Sequence, residues 1–381
     1  MRYAGFIIRQ ERLNRNWSQE GLCRGICTVS YLSKIELGKT EPSEEILCML
    51  MRAMGLAWHG TDAGKDAVVQ RAYDILLGAE EGLAEFLSEQ DADLFVYSPY
   101  GPDWALLTRF AGQDMAPLDE ELEACLDSRQ LALQRLLQGR GQEAVSLYPA
   151  GFVQYMAGVA HYHAGRFAPA LEMLQAAFQL AAQEGRARLM LHCKAMMGNC
   201  YANQNDLPAM EQHYIVASRL SKTLGDEQMD QTLAYNRAAT QLEMGRYEQA
   251  LGYFQSLKNP SRMELHKLAI CLEKLGRRDE AAAALEKAET AQPSDAGFAE
   301  LEKQLLEIVS MRIGDRDYLS NADYGEKLLR GFDACRRRLP AGYAQFHLPW
   351  VLEWYEHNRQ YKRALEVLRT FPGGWAELSR G

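Results

Sequence analysis

The sequence predicts an all-α protein, in which a small N-terminal five-helix domain is followed by an α-solenoid of helix pairs. Apolar residues recur at three- and four-residue spacing along nearly the whole chain of 381 residues, which is the period of a helix. Only 12 prolines interrupt this pattern, and glycines fall between the periodic segments. A set of small, turn-forming and aromatic positions then recurs at intervals of 31 to 40 residues, which is typical of helical repeats.

Composition and charge indicate a folded chain with two different parts. Hydrophobic residues make up 47% and charged residues 24% of the sequence, and the formal net charge is −9. Residues 1–58 hold eight Lys or Arg against six Asp or Glu, a net of +2, so the remainder carries −11. A mildly basic head on an acidic body fits a nucleic-acid-binding module attached to a part that does not contact nucleic acid.

The sequence offers no sign of a membrane segment or of catalysis. We expect a cytoplasmic protein with no membrane partner, because no apolar run is long enough to span a bilayer and Arg9, Glu11 and Arg12 interrupt any signal peptide. The eight cysteines form no CxxC pair and are expected to be reduced thiols, mostly buried. His161 and His163 lack metal-ligand spacing, so no metal and no cofactor are expected. With no phosphate-binding glycine loop and no serine nucleophile elbow, we expect no enzyme.

Residues 2–56 read as five short helices with recognisable start signals. The first runs from Tyr3 to Asn14, Ser18 is a candidate N-cap of the second, and Thr28 caps the next, VSYLSKIE. A further helix starts at Glu41-Pro42-Ser43. Leu22, Ile26, Leu32 and Ile35 are expected in the core of this domain.

These motifs carry a resemblance to a known family. R-x-x-R followed by WSQEGL, YLSKIELGKTEPS and a final MGL resembles the Xre or lambda-repressor-like helix-turn-helix family over about 55 residues. The resemblance implies that Val29 to Lys34 form a recognition helix that enters the major groove of DNA. Arg12 and Glu36 match a structural ion pair of that family. The turn from Arg24 to Thr28 is one residue shorter than usual, as in peptide-sensing relatives.

The same resemblance implies a set of DNA contacts. Ser30, Tyr31 and Lys34 would lie at base edges or beside them, and Ser18, Gln19, Lys39 and Thr40 would position the phosphates. The alternative is a helical bundle that contacts only protein. The full expected set is Ser18, Gln19, Thr28, Val29, Ser30, Tyr31, Ser33, Lys34, Lys39 and Thr40.

The repeated positions resemble the tetratricopeptide repeat. In each copy a small residue on the first helix precedes a turn residue (Gly165, Asn205, Gly245 or Gly276). A small residue is expected five positions after the turn, where the helices cross, and a large residue four positions further on. The turn residue is expected in the left-handed conformation. Copies are clearest over 151–292, a last one ends at Phe371, and degenerate ones fill 68–150 and 298–343. The predicted domains are therefore 1–58, a linker at 59–70, and a repeat array at 71–381.

This domain order resembles the RRNPP group of regulators (Rgg- and PlcR-type), which sense peptide pheromones. The resemblance implies a bacterial, quorum-sensing transcription regulator that binds a short peptide. One recognition helix offers few contacts, so we expect a homodimer on double-stranded DNA with a near-palindromic operator. Two alternatives remain open: repeats that bind a signalling protein, and a regulator that senses a small molecule.

Polar and aromatic side chains on the first helix of each repeat are the expected effector contacts. Asparagine carries both a donor and an acceptor, so Asn199, Asn203 and Asn236 can hold the backbone of an extended peptide whatever its sequence. Neighbouring aromatic residues would form apolar pockets. Simple packing between helices is the alternative for each residue, and Asn236 occupies a position where many such repeats carry Asn. The expected set is Tyr155, Tyr162, Asn199, Asn203, Tyr235, Asn236, His266 and Lys267.

Overall fold

The chain is helical throughout the part that the structure describes. The computed structural model describes residues 2–113, 120–293, 296–339 and 341–370, and these ranges contain helices and turns but no β-strand. The predicted all-α fold is confirmed, whereas Phe371 lies outside the described residues. The chain divides into two compact units, the first comprising Met1–Ala160 with Leu171–Cys193 and the second His161–Ala170 with Lys194–Gly381.

The N-terminal helices begin where the sequence places their caps. They are α1 (Arg2–Asn14), α2 (Gln19–Cys23), α3 (Val29–Glu36) and α4 (Glu44–Ala53). Ser18, Thr28 and Ser43 each stand in extended conformation before a helix, and each side chain accepts a hydrogen bond from a backbone N–H in the first turn. These hydrogen bonds satisfy helix donors that otherwise lack a partner.

The N-terminal segment has one helix fewer than predicted. Residues 2–56 contain four helices, because the chain leaves helical conformation after α4 and Gly55 adopts a left-handed φ of 77°. The next helix, α5 (Ala63–Leu77), starts within the expected linker 59–70 and is capped by Asp62. Its buried Ala72 and Tyr73 pack in the core of the helices that follow. The division into domains at these residues remains a prediction.

The first helix of the chain packs on the helices that follow α5. These are α6 (Leu83–Ser88), α7 (Asp93–Val96), α8 (Gly101–Phe110), α9 (Glu120–Glu123), α10 (Ser128–Leu137) and α11 (Gly141–Leu147). The Tyr3 hydroxyl donates to the carbonyl oxygen of Val96 over 2.7 Å, and the Tyr97 hydroxyl donates to Glu11 over 3.1 Å. Only glycine fits at position 101, since a Cβ there would lie 2.1 Å from the Tyr3 ring. Within unit 1, the N-terminal helices are therefore fixed to the later helices through α1.

The remaining helices follow one another in pairs. They are α12 (Gly151–His163), α13 (Phe167–Gln183), α14 (Ala187–Asn203), α15 (Leu207–Leu224), α16 (Glu227–Glu243), α17 (Tyr247–Ser256), α18 (Arg262–Lys274), α19 (Arg278–Thr290), α20 (Ala299–Gly314), α21 (Ala322–Arg338), α22 (Ala341–His357) and α23 (Tyr361–Thr370). The four predicted turn residues all have positive φ: 70° at Gly165, 60° at Asn205, 73° at Gly245 and 76° at Gly276.

Small residues allow the paired helices to approach closely. The positions five residues after the turns are fully buried, with Ala170, Ala250 and Ala281 at 0% exposure. On α14, a Cβ at Gly198 would lie 2.2 Å from Cε1 of the Tyr214 ring on α15. The ring therefore occupies the space that the missing side chain leaves, as expected for helices packed at van der Waals density.

Candidate DNA-binding and effector sites

The outer face of α3 is free, as a recognition helix requires. Leu32 and Ile35 are buried in the core of the first four helices, at 0% and 1% exposure. On the opposite side Val29 is 43% exposed, and Ser30 and Lys34 are also exposed. No other part of unit 1 covers this face within the described residues, so a groove of DNA can reach it without rearrangement of the unit.

α3 is held in place from α1 by a close backbone contact and an ion pair. A Cβ at Gly5 would lie 2.0 Å from the carbonyl oxygen of Ile35, so α1 and α3 touch through their backbones. The Arg12 guanidinium donates to both carboxylate oxygens of Glu36, over 2.6 and 2.8 Å. Both side chains are almost fully buried. This buried position agrees with the sequence interpretation, in which the ion pair is structural.

The other expected DNA contacts surround α3 but are not all free. Ser18 and Thr28 cap α2 and α3 with their hydroxyl oxygens, which leaves each hydroxyl hydrogen available. Gln19 is half-buried and donates to Glu36 over 2.8 Å. Ile26, which the sequence predicts as buried, is only half-buried and packs at the edge of the core of the first four helices, in the turn that follows Gly25. Lys39 is exposed, and Tyr31, Ser33 and Thr40 are half-buried.

Unit 2 brings four of the expected effector residues into one hydrogen-bonded group. The Asn203 amide donates to the Tyr162 hydroxyl over 3.3 Å and to the backbone oxygen of Asn199 over 2.8 Å. The side-chain oxygen of Asn199 accepts from the Tyr214 hydroxyl over 2.6 Å and from the Asn236 amide over 3.4 Å. We call Tyr162, Asn199, Asn203 and Asn236 the asparagine surface. All four are half-buried, so they retain access to solvent.

Two charged residues, Lys267 and Glu243, lie near the asparagine surface. The Lys267 side chain is buried, and its Nζ lies 4.4 Å from the ring centroid of Phe346 and 5.8 Å from that of Tyr235. Burial lowers the pKa of Lys267, and Glu243 opposes that shift. Glu243 is an exposed residue, and desolvation of its carboxyl by the surrounding protein raises its pKa to about 7. The charge of Glu243 in turn acts on Tyr162.

Two of the expected effector residues lie elsewhere. His266 is 1% exposed and sits behind the surface, because the helix face that carries it is covered by its neighbours in the core of unit 2. In this conformation no effector can touch it. Tyr155 belongs to unit 1, where its ring lies 6.2 Å from that of His192. The remaining six residues of the set are in unit 2.

Three residues of this region are absent from the expected set of eight effector contacts. Tyr214 orients Asn199, Glu243 supplies negative charge, and Phe346 packs over Lys267. Tyr214 carries a signal in the sequence, since it stands at the large-residue position nine after the turn at Asn205. Phe346 carries none, because it lies 79 positions from Lys267 in the chain.

Within the described ranges no three His, Cys, Asp or Glu side chains are grouped so as to hold a metal ion. All eight cysteines are free thiols, five of them buried. None of the described helices has the length and apolar character needed to cross a membrane.

Comparison with known families and structures agrees with this architecture. Residues 8–58 match the family model described as helix-turn-helix, and residues 265–294, which cover most of α18 and α19, match the tetratricopeptide repeat. Neither model is that of an enzyme. No curated protein matches the sequence.

Two solved structures are similar to the chain. A Rap protein complexed with competence and sporulation factor shares 13% identity at a TM-score of 0.54, covering 84% of this chain and 99% of that one. Bacillus thuringiensis PlcR in complex with the peptide PapR7 and DNA shares 16% identity at a TM-score of 0.33, covering 82% and 99%. The first of these likenesses shows a shared fold. The chain thus carries a helix-turn-helix segment at residues 8–58 and a tetratricopeptide repeat at residues 265–294, and it shares the helical fold of the Rap protein over most of its length.

Proposed function

We propose that this protein is a transcription regulator that binds a specific DNA sequence through α3 and a short extended peptide through the asparagine surface. The free outer face of α3 carries the first half of the proposal. Its hydroxyl and ammonium groups at Ser30 and Lys34 are exposed, and such groups read base edges in the major groove. Ser18, Lys39 and Thr40 flank this face and would bind phosphates.

The regulator is proposed to act in the cytoplasm as a homodimer. A helix of eight residues makes few base contacts, so one copy of α3 gives little discrimination between DNA sequences. Two copies related by a two-fold axis would read a near-palindrome whose half-sites are about 34 Å apart. A ligand would then control binding through its different affinity for arrangements of the two heads that fit or do not fit this spacing.

The asparagine surface supports the peptide half of the proposal. Three amide side chains and a tyrosine hydroxyl meet on consecutive first helices of the repeats, and each retains exposure to solvent. Amides at this spacing can pair with the N–H and C=O groups of an extended backbone. The Rap protein that shares this fold was solved in a complex with competence and sporulation factor.

Selection from a pool of random duplex DNA tests the DNA-binding half. The full chain should enrich a single near-palindromic sequence, and footprinting should show two protected half-sites one helical turn apart. Lys34→Ala should still enrich a related sequence but relax the preference at one base pair of each half-site. Failure to enrich any sequence at low salt, with or without added peptide, would contradict DNA binding.

Affinity selection from synthetic heptapeptide pools tests the peptide half. The full chain should retain peptides, and Asn199→Ala with Asn236→Ala should lose them. Asn205→Gly is the matched control, because Asn205 is exposed in a turn and glycine adopts its positive φ. If the double variant retained peptides as well as the wild type does, the peptide site would lie elsewhere. Capture of a folded protein or a small molecule instead would favour those alternatives.

A further inference from the structure

Lys267 carries a buried positive charge with donors to spare. Its side chain is 7% exposed, and among the described residues its ammonium group makes no hydrogen bond and no ion pair. Its ammonium group lies over the faces of Phe346 and Tyr235. An ammonium group has three hydrogen-bond donors, and Nζ of Lys267 is not among the fully buried unpaired atoms of the described residues, so an acceptor arriving from solvent can reach it.

Glu243 compensates this charge only from a distance. Its field favours the charged form of Lys267, but the two groups are not in ion-pair contact. Glu243 is exposed, whereas the aromatic rings enclose Lys267. The negative charge of Glu243 also acts on Tyr162 of the asparagine surface. Glu243 therefore lies close enough to act on both Lys267 and that surface. An arriving carboxylate would meet Lys267 beside the amides that hold a peptide backbone.

We propose that the peptide bound at the asparagine surface carries a carboxylate that pairs with Lys267, between the rings of Phe346 and Tyr235. This inference rests on the proposed function and specifies its ligand. The carboxylate comes either from an Asp or Glu side chain or from the peptide's C-terminus, because both present the same pair of oxygen atoms. The negative charge of Glu243 would repel a second carboxylate of the peptide beside the one that pairs with Lys267.

A purely structural role for Lys267 is the rival explanation, in which its contacts with the two rings alone hold α16, α18 and α22 together. Lys267→Met separates the two roles. Methionine keeps most of the apolar stem of the side chain and removes the charged ammonium group with its donors. If Lys267 awaits a ligand, the empty protein should melt at a higher temperature after the change, because an uncompensated buried charge has gone.

Four synthetic heptapeptide pools test the proposal on the immobilised full chain. Two pools contain Asp and Glu at random positions and two contain Asn and Gln instead, each with either a free or an amidated C-terminus. The wild type should retain a carboxylate-bearing pool about tenfold more than the amidated Asn/Gln pool, which has no carboxylate. The pool retained identifies the source of the carboxylate. Lys267→Met should remove the preference, and Lys258→Met, at an exposed lysine of the same unit, should keep it.

The outcomes separate this proposal from the one on which it rests. Equal retention of all four pools by the wild type would overturn the carboxylate and leave peptide binding intact. Retention of none would overturn both. A Lys267→Met protein that melts at a lower temperature and keeps its tenfold preference would assign Lys267 the structural role.

Discussion

Arg12 and Glu36 form a two-contact ion pair between α1 and the end of α3. Arg12 Nε lies 2.6 Å from Glu36 Oε1, and Arg12 Nη2 lies 2.8 Å from Oε2. The remaining donor of the guanidinium, Nη1, reaches the backbone oxygen of Trp17 over 2.7 Å, and Gln19 donates to the same carboxylate. The pair thus ties α1 to the start of α2 and to the end of α3, which fixes the direction of the outer face.

Removing one member of this pair should destabilise the N-terminal helices strongly. Arg12→Ala leaves a buried carboxylate with only Gln19 as a side-chain partner, a loss of about 3–5 kcal/mol in the free energy of unfolding. The double change Arg12→Met with Glu36→Met should cost much less, since no charge is left buried. Denaturant unfolding followed by circular dichroism checks both. If Arg12→Ala cost under about 1 kcal/mol, the pair would be no more than a surface interaction.

Lys34 and Lys39 are both exposed, but they should affect DNA binding differently. Lys34 lies on the outer face of α3, so Lys34→Ala should reduce discrimination at one base pair by about 1–3 kcal/mol. Lys39 follows the helix, and Lys39→Ala should weaken binding to all sequences and lower the salt slope by about one. Titrations of operator and mismatched DNA at several salt concentrations measure both effects. Identical profiles for the two variants would show that α3 is placed wrongly on the DNA.

The features that sequence could predict are those set by neighbours in the chain. The caps at Ser18 and Thr28 and the left-handed turns at Gly165 and Asn205 are decided within about four residues, so local chemistry suffices. The repeat spacing then orders the helices in pairs.

Contacts between distant residues escaped prediction. Tyr3 fills the space beside Gly101, and Phe346 covers Lys267, across 98 and 79 positions of the chain. His266 was expected on an open surface for the same reason. Helical periodicity assigns a residue to a face, but which later helix covers that face depends on the stacking of the repeats.

Gly198 provides a test of that stacking. In Gly198→Ala the new Cβ would lie 2.2 Å from the ring of Tyr214, which is 1% exposed and has no room to move. We expect a loss of about 1–3 kcal/mol in the free energy of unfolding of unit 2. Gly252→Ala is the control, because that Cβ meets nothing within 4 Å on α17, and there alanine should stabilise the helix by about 0.5–1 kcal/mol. A neutral Gly198→Ala would contradict the close approach of α14 and α15.

His347 should make unit 2 sensitive to mild acid. Burial lowers its pKa from 6.5 to about 4, and its Nδ1 lies 2.8 Å from the backbone oxygen of Tyr343. Protonation therefore favours the unfolded chain, so stability is complete above pH 6.5 and falls as the pH drops towards 4. Between pH 7.5 and 5.5 the wild type should lose about 1 kcal/mol relative to His347→Gln, which cannot titrate. Parallel curves for the two proteins in that window would show that His347 titrates normally.

The pH dependence of acidic-peptide binding should identify Glu243 as the group that opposes the ligand's charge. Its pKa is raised to about 7, so lowering the pH from 8 to 6 neutralises it and removes its repulsion of a bound carboxylate. We therefore expect affinity for a carboxylate-bearing pool to rise about three- to tenfold from pH 8 to pH 6.

Glu243→Gln isolates the contribution of the carboxylate. The variant should bind the acidic pool more tightly than the wild type at pH 8, match it at pH 6, and show a smaller slope between them. The raised tyrosine pKa values at 214 and 235 and the lowered one of His347 keep those groups from titrating in this range. Fluorescence anisotropy with a labelled acidic heptapeptide measures the slopes. An affinity that falls with acid in the wild type, or an unchanged slope in the variant, would mean that Glu243 does not face the bound carboxylate.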